Sequence, residues 1–151
     1  MEISLCSIDN NSNLVRFAGA NRPLYIVTKK NNFKPIKVVN KQIELIQEEN
    51  ALYEIKGNKC SIGAEDPVFH VDEQIFKYNK GDTIYLSSDG YVDQFGGESD
   101  KKFKSKRLKN LLLSIQNQTM SEQKETLVTE FQNWKGEKEQ IDDVTMIGVK
   151  L

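Results

Sequence analysis

The sequence is poor in cysteine and histidine. Two cysteines, Cys6 and Cys60, and one histidine, His70, occur in 151 residues, and the cysteines have no Cys-x-x-Cys spacing. This excludes a disulfide framework and leaves no thiol or imidazole cluster that could hold zinc. The cysteines are therefore predicted to be small, buried or half-buried thiols in a reducing compartment. His70 lies in a Val-Phe-His-Val pattern that is typical of a strand, and a structural role is expected for it.

The sequence also lacks an excess of either charge and any long apolar run. Lys and Arg total 21 against 22 Asp and Glu, for a net charge of −1, which gives no electrostatic reason to expect nucleic acid or membrane binding. No stretch approaches the ~18 consecutive apolar residues of a transmembrane helix, and no signal peptide is recognisable. The sequence predicts one soluble, cytoplasmic domain over residues 1–151.

Alternation of apolar and polar residues predicts a chain that begins with many strands. Residues 3–8 and 14–18, separated by an Asn-rich turn, are typical of a β-hairpin. Further strands are predicted at 24–28, 33–39, 43–47, 52–55, 68–78 and 83–87. The last two are expected to pair through a turn at 79–82. Because the strand pattern starts at once after Met1, the chain is interpreted as one cut within a fold.

Helical spacing replaces strand alternation later in the chain, after a predicted flexible loop at 95–98. An amphipathic helix is predicted over 101–116, and a capping box of Thr119 and Glu122 begins a second helix over about 120–135 that ends at Gly136. Residues 144–149 predict a last strand inside a sheet. Many strands, two helices and one closing strand indicate an α+β fold with helices packed on an antiparallel sheet.

Two short acidic segments are the candidates for chemistry. Asp89-Gly90 follows a predicted strand, and Asp142-Asp143 precedes one. Acidic loops fixed to strand ends can place carboxylates around a divalent cation, and oxygen ligands suit Mg²⁺ or Mn²⁺. Gly90 is expected to let the backbone turn sharply, so that the Asp89 carboxylate faces a cleft. Each segment alone is weak evidence, and at most one of Asp142 and Asp143 is expected to face a metal.

Four segments in order resemble the PPM-type (type 2C-like) serine/threonine protein phosphatases, in the SpoIIE/RsbU-like bacterial branch. Residues 17–25 are similar to the branch's Ala-Gly-His-Pro-Pro segment, and residues 61–63 to its Pro-Leu-Gly turn. Residues 81–90 resemble the strand ending in Ser/Thr-Asp-Gly, and 140–145 the closing Asp-Asp-Ile-Thr. The resemblance covers nearly the whole chain and implies an antiparallel β-sandwich with flanking helices, in the order αββα.

The resemblance also implies a chemistry. Asp89 and Asp142 would be ligands of a site for two Mn²⁺ or Mg²⁺ ions, with Gly90, Asp93 and Asp143 as accessory residues. The implied reaction is hydrolysis of a phosphoserine or phosphothreonine ester by water, without a covalent phosphoenzyme. The implied substrate is a phosphoprotein, often a small anti-sigma-factor antagonist, and the parent protein of such a signalling enzyme commonly carries sensor or repeat modules upstream.

The sequence departs from the branch in two ways. The branch has an Asp-Gly-x-Gly-His-Gly segment whose Asp bridges both metals, and the chain resembles the C-terminal two-thirds of the domain without it. The chain alone is therefore expected to bind metal poorly and to turn over little or no substrate. Asn21 stands where the branch often has His. Two other interpretations stay open: a non-catalytic PPM-like protein-binding module, and an oligomeric or strand-exchanged assembly formed through exposed sheet edges.

The segment around the first predicted helix is basic. Its cationic residues are Lys101, Lys102, Lys104, Lys106, Arg107 and Lys109. A solvated helix face is favoured here over a dock for an acidic phosphoprotein. Phe131 and Trp134 in the next helix are predicted to be core anchors.

Overall fold

The chain folds into two antiparallel β-sheets packed face to face, with helices covering one outer face. The computed structural model describes residues 1–40, 42–63 and 70–151. The strands are β1 (Ile3–Asp9), β2 (Leu14–Ala20), β3 (Leu24–Lys29), β4 (Lys34–Lys37), β5 (Gln42–Gln47), β6 (Asn50–Ile55), β7 (Gln74–Lys77), β8 (Thr83–Ser87), β9 (Phe95–Gly96), β10 (Lys101–Lys102) and β11 (Met146–Lys150). The helices are α1 (Gly90–Asp93), α2 (Ser105–Ser114) and α3 (Met120–Lys135).

The strand order explains the two layers. The first sheet has the order β1-β2-β7-β4, the second has the order β11-β8-β3-β6-β5, and β9 and β10 form a small separate ribbon. Every strand pairing within these sheets is antiparallel. The predicted hairpin is present, with Ile3 opposite Ala20 and Asp9 opposite Leu14. The predicted α+β class and the antiparallel sandwich with flanking helices are confirmed.

The predicted pairing of the strands on either side of residues 79–82 is wrong. β7 pairs with β2 and β4 in the first sheet, whereas β8 pairs with β3 and β11 in the second. The Asp82 carboxylate accepts a hydrogen bond from the Asn79 backbone N–H at 2.8 Å, and this turn carries the chain from one layer to the other. Part of the predicted strand 68–78 lies outside the described residues, and β7 starts only at Gln74, so His70 lies in the loop before it.

The region between Gly90 and α2 also differs from the prediction. Phe95–Gly96 pairs with Lys101–Lys102 instead of forming a flexible loop, and α2 starts at Ser105 rather than at residue 101. A Cβ atom on Gly96 would lie 1.8 Å from the Trp134 carbonyl oxygen, so the ribbon packs directly on the backbone of α3. Two-residue strands and the single turn of α1 are too short to leave a periodic pattern.

Two apolar cores hold the layers together. One lies between the sheets and includes Phe17, Ile26 and Phe76. The other lies between the second sheet and helices α2 and α3, and it includes Tyr85, Leu112 and the predicted anchor Phe131, with Trp134 packed against its margin. The helices therefore cover the second sheet, and no helix of the described ranges covers the outer face of the first.

The capping box predicted for α3 is present. The Thr119 hydroxyl accepts from the Glu122 N–H, the Glu122 carboxylate accepts from the Thr119 N–H, and Gly136 ends the helix. α3 is the longest of the three helices at 16 residues. No helix in the described part of the chain has both the length and the apolar character needed to cross a bilayer.

The last strand lies at the margin of its sheet, not inside it as predicted. Within the described residues, β11 pairs only with β8, and β1 pairs only with β2, so each sheet ends in one of these strands. Ile147 is 55% exposed and Leu5 is 67% exposed, although both are large and apolar. Residues of β1 and β11 border one cleft, which makes this the open edge of the sandwich.

Candidate metal centre at the open edge of the sandwich

The acidic residues predicted from the sequence meet in one cleft. It has a volume of about 400 Å³ and lies between the start of β1, the end of β8 and the segment before β11. Its lining residues are Glu2, Ile3, Ser4, Arg22, Leu86, Ser87, Ser88, Asp89, Asp142, Asp143, Thr145 and Ile147. A larger groove of about 660 Å³ runs between α3 and β11, and its described lining is mainly apolar, with Lys124 as its charged residue. Of these two features, the smaller cleft combines the groups that acid or metal chemistry needs.

Asp89 lies two residues after the end of β8 and is the N-cap of helix α1. Its backbone carbonyl accepts the Asp93 N–H at 2.9 Å, while its side chain makes no capping hydrogen bond to the described residues of that helix. The carboxylate is consequently available to the cleft, where it is 36% exposed.

Gly90 is required by a close approach of two backbones. A Cβ atom at this position would lie 2.4 Å from the carbonyl oxygen of Asp143. Gly90 has a helical backbone inside α1, so its role differs from the sharp turn expected from the sequence. The missing side chain lets the Asp89 and Asp142 loops touch.

Ser88 fastens these two loops to each other. Its hydroxyl donates to the Asp143 carbonyl at 2.8 Å and accepts from the Thr145 N–H at 3.0 Å. The Ser88 N–H also donates to the Thr145 carbonyl at 3.0 Å. This set of three hydrogen bonds, here called the Ser88 latch, fixes the separation between the two acidic segments.

Asp142 and Asp143 both belong to the lining of the cleft. The Asp142 carboxylate accepts the Asp143 N–H at 2.7 Å, and the Asp142 carbonyl accepts from the Gln140 side chain at 2.8 Å. The Asp142 side chain lies within hydrogen-bonding reach of Asp89. Asp142 is thus the member of the pair that approaches Asp89.

Arg22 supplies a positive charge that the motif search had missed. One guanidinium nitrogen, Nη2, lies 2.7 Å from Asp89 Oδ2 and 2.5 Å from Glu2 Oε2. The side chain is only 20% exposed, so the cleft encloses most of it. Asn21 holds the other oxygen of Glu2 through its amide at 3.0 Å.

A tight turn places Arg22 in the cleft. Asn21 adopts a left-handed backbone with φ of 56°, which Asn tolerates better than most residues. A Cβ atom on Gly19 would lie 2.3 Å from the Arg22 carbonyl oxygen, so the turn folds back onto the end of β2. Gly19 and Asn21 therefore define where the Arg22 side chain starts.

The charge of Arg22 determines the electrostatics of Asp89. Partial burial would by itself raise the pKa of this carboxyl, but the hydrogen bond and the positive charge of Arg22 outweigh it and hold the pKa below its ordinary value. Asp89 is therefore ionised at neutral pH and ready to bind a cation.

Two other candidate residues lie outside the cleft lining. The Asp93 carboxylate, proposed as an accessory acid, lies 3.2 Å from the Lys102 ammonium at the base of the ribbon. His70 is paired with the Asp72 carboxylate at 2.8 Å on an exposed surface. Asp72 in turn accepts a hydrogen bond from the Asn58 side chain, which agrees with a structural role for His70.

The basic cluster predicted on the first helix does not act as one face. Arg107 stacks over Phe103 and Trp134, with its guanidinium carbon 5.0 and 4.4 Å from the two ring centroids. Lys109 is buried and lies 2.6 Å from the Glu54 carboxylate. Arg107 and the lysines other than Lys109 are exposed, as expected for a solvated face.

The donor set of the cleft suits a hard divalent cation. Asp89 and Asp142 present carboxylate oxygens to the same space, and the Arg22 guanidinium already occupies a position where a cation neutralises Asp89. In the described ranges no three residues of the types His, Cys, Asp and Glu are grouped closely enough to hold a metal ion together. The chain's own residues thus provide a pair of carboxylates and not a full ligand set.

Comparisons with known proteins agree with this fold. The chain is similar to the SiaA PP2C domain of Pseudomonas aeruginosa, with 27% identity and a TM-score of 0.75 over 98% of this chain and 50% of that one. It is also similar in fold to the phosphatase domain of SpoIIE from Bacillus subtilis, a Mn-presoaked structure, with 16% identity and a TM-score of 0.57 over 99% and 56% of the two chains. No curated protein matches the chain.

The fold is that of the PPM-type (PP2C) phosphatase domains. The chain belongs to the family of Stage II sporulation protein E (SpoIIE), whose family model matches residues 1–151. The resemblance inferred from the four motifs is thereby confirmed. The chain spans about half the length of the two solved chains.

Proposed function

We propose that the protein containing this chain is a metal-dependent phosphatase that hydrolyses phosphoserine or phosphothreonine in a phosphoprotein. The observation that carries the proposal is the meeting of Asp89 and Asp142 in one cleft. Carboxylates that meet in one cleft repel each other when both carry charge, and a divalent cation relieves the repulsion. Family membership supports the phosphatase class, and the small anti-sigma-factor antagonists named by the motif resemblance are the proposed substrates.

In this proposal some residues bind the cation and others position the loops that carry its ligands. Asp89 and Asp142 would hold the cation, either Mn²⁺ or Mg²⁺, while Gly90 and the Ser88 latch keep their loops together. A bound cation would neutralise the phosphoryl group and favour attack by water. Because the described residues supply a pair of carboxylates, we further propose that the remaining ligands come from sequence beyond residues 1–151 and that this chain alone has little activity.

The test is Mn²⁺-dependent hydrolysis of a phosphoserine peptide by the complete protein and by its Asp89→Asn and Asp142→Asn variants. Each variant should lower the rate by about a hundredfold or more, because loss of a metal ligand removes much of the charge stabilisation of the reaction. Asp9→Asn is the matched control, since Asp9 lies at the far end of β1 and binds only the turn residues Asn11 and Ser12. Full activity in both cleft variants would refute the proposal.

The second candidate is a non-catalytic PPM-like protein-binding module. The observation that favours it is the apolar groove of about 660 Å³ between α3 and β11, beside an edge strand with exposed Ile147. A complete protein that shows no phosphatase activity with Mn²⁺ or Mg²⁺, yet loses a partner when Val128 in the groove is changed to Asp, would favour the module over the enzyme.

A further inference from the structure

The strongest unassigned feature of the cleft is the position of Arg22. Its guanidinium contacts Asp89 and Glu2 through one nitrogen, at 2.7 and 2.5 Å. Charge-assisted hydrogen bonds of this kind are stronger than neutral ones. Asp89 is also a residue expected to bind the metal, so two cations compete for one carboxylate.

We propose that Arg22 is an internal counter-ion of the acidic cleft, which occupies Asp89 when no metal is bound and weakens divalent cation binding until it is displaced. This inference rests on the proposed metal site at Asp89 and Asp142. It gives the cleft two states, one in which Arg22 binds Asp89 and one in which the metal does.

Electrostatics make the two states exclusive. A divalent cation at Asp89 would lie within a few ångströms of the guanidinium, and like charges at such a distance repel strongly in a partly enclosed site. The Arg22 side chain is 20% exposed and that of Asp89 is 36% exposed, so solvent screens the pair only in part. Metal binding must therefore either move Arg22 or proceed at reduced affinity.

Glu2 provides Arg22 with a second ionic partner. The Glu2 carboxylate binds the same guanidinium nitrogen and is itself held by the Asn21 amide at 3.0 Å. Arg22 can therefore lose its contact with Asp89 and keep an ionic partner. A buried arginine without this alternative would lose more on displacement.

Mn²⁺ alone is the probe, and its binding to the chain, which is expected to be weak with only a pair of carboxylates, is measured by electron paramagnetic resonance of the free ion. Arg22→Gln should bind Mn²⁺ about tenfold more tightly than the wild type, and Arg22→Lys should fall between them, because lysine keeps the charge without the fixed fork of guanidinium donors. Arg16→Gln is the matched control, since Arg16 pairs with Glu73 on an exposed surface and should leave the affinity unchanged. Asp89→Asn should remove binding in both the wild-type and the Arg22→Gln backgrounds.

A second readout follows Arg22 itself. The chain has three arginines, so the side-chain N–H resonances can be assigned, and Mg²⁺ should shift that of Arg22 while leaving that of Arg16 in place. If Arg22→Gln binds Mn²⁺ no more tightly than the wild type, and Asp89→Asn still abolishes binding, the proposed counter-ion role of Arg22 is refuted. The proposed metal site at Asp89 and Asp142 is then retained. If Asp89→Asn leaves Mn²⁺ binding unchanged, both the proposed metal site and the proposed role of Arg22 are refuted.

Discussion

Two ion pairs of the same chemistry lie in opposite environments in this molecule. Lys109 of α2 binds Glu54 of β6 at 2.6 Å beneath the helices, where the two side chains are 10% and 9% exposed. Arg22 binds Asp89 at 2.7 Å at the open edge, where the side chains of Asp89 and Glu2 are 36% and 34% exposed. The first pair is enclosed by packed side chains, so an ion from solution cannot replace one of its partners. In the second pair it can, which is what a metal site needs.

The comparison separates the part of the molecule that supplies stability from the part that supplies chemistry. α2 and α3 pack on the second sheet through a continuous apolar core, so groups buried there are fixed. The cleft is held by the Ser88 latch and by charged side chains, not by an apolar core. Its geometry is held by a few hydrogen bonds, so small changes should alter ligand binding more than folding.

The largest difference in the free energy of unfolding is expected between the variants Lys109→Ala and Arg22→Gln. Lys109→Ala leaves the Glu54 carboxylate buried without its partner and should lower the free energy of unfolding by about 3–5 kcal/mol. Arg22→Gln should change it by less than about 1 kcal/mol, because partly exposed ion pairs contribute little. Urea denaturation monitored by circular dichroism measures both. The double variant Lys109→Met with Glu54→Leu should recover most of the loss, and equal effects of the two single variants would break the comparison.

Gly90→Ala tests the contact between the acidic loops. The added Cβ meets the Asp143 carbonyl at 2.4 Å, so the loops must separate, at an expected cost of about 1–3 kcal/mol in unfolding free energy. Mn²⁺ affinity should fall with it, because Asp142 moves away from Asp89. Gly81→Ala is an instructive control, since Gly81 has open space around it but a positive φ of 95°. It should destabilise the fold without changing Mn²⁺ affinity.

Ser88→Ala should destabilise the fold less than Lys109→Ala and no more than Gly90→Ala. It removes one hydrogen bond to Asp143 and one from Thr145, and a loss of about 1–2 kcal/mol is expected. If the Ser88 latch sets the spacing of Asp89 and Asp142, Mn²⁺ affinity should decrease more than this modest destabilisation implies. Ser114→Ala, which removes a hydroxyl hydrogen bond to the Leu111 carbonyl in α2, is the matched control, and an identical loss of affinity in it would show that the latch is not specific.

The sequence allowed most of the elements of the fold to be predicted because their patterns are local. The capping box of α3 needs only Thr119 and Glu122, and the hairpin of β1 and β2 needs only alternation and an Asn-rich turn. The pairing of β7 and β8 was predicted wrongly because a turn at 79–82 has the same composition whether it joins strands of one sheet or links two sheets. The edge position of β11 was missed because apolar residues such as Ile147 suggest burial on both sides.

The acidic residues of the candidate site could be predicted from the sequence, but the arginine beside them could not. Asp89 and Asp142 stand in recognisable motifs, and their meeting in one cleft agrees with the roles predicted for them. Arg22 lies in the small-residue segment that includes Gly19, and no local rule says that an arginine there reaches a carboxylate 67 positions later in the chain. Ser88 carried a weak signal as the residue before Asp-Gly. Its hydrogen bonds to the second loop depend on tertiary contact alone.

The central claim is that Asp89 and Asp142 hold a divalent cation in exchange for Arg22. The most direct test is anomalous diffraction at the manganese edge from crystals of the complete protein grown with and without Mn²⁺. We expect an anomalous peak between the two carboxylates in the Mn²⁺ crystals, with the Arg22 guanidinium moved off Asp89 and retained by Glu2. Saturating Mn²⁺ with no peak at these carboxylates, and with the Arg22 to Asp89 pair unchanged, would contradict the account.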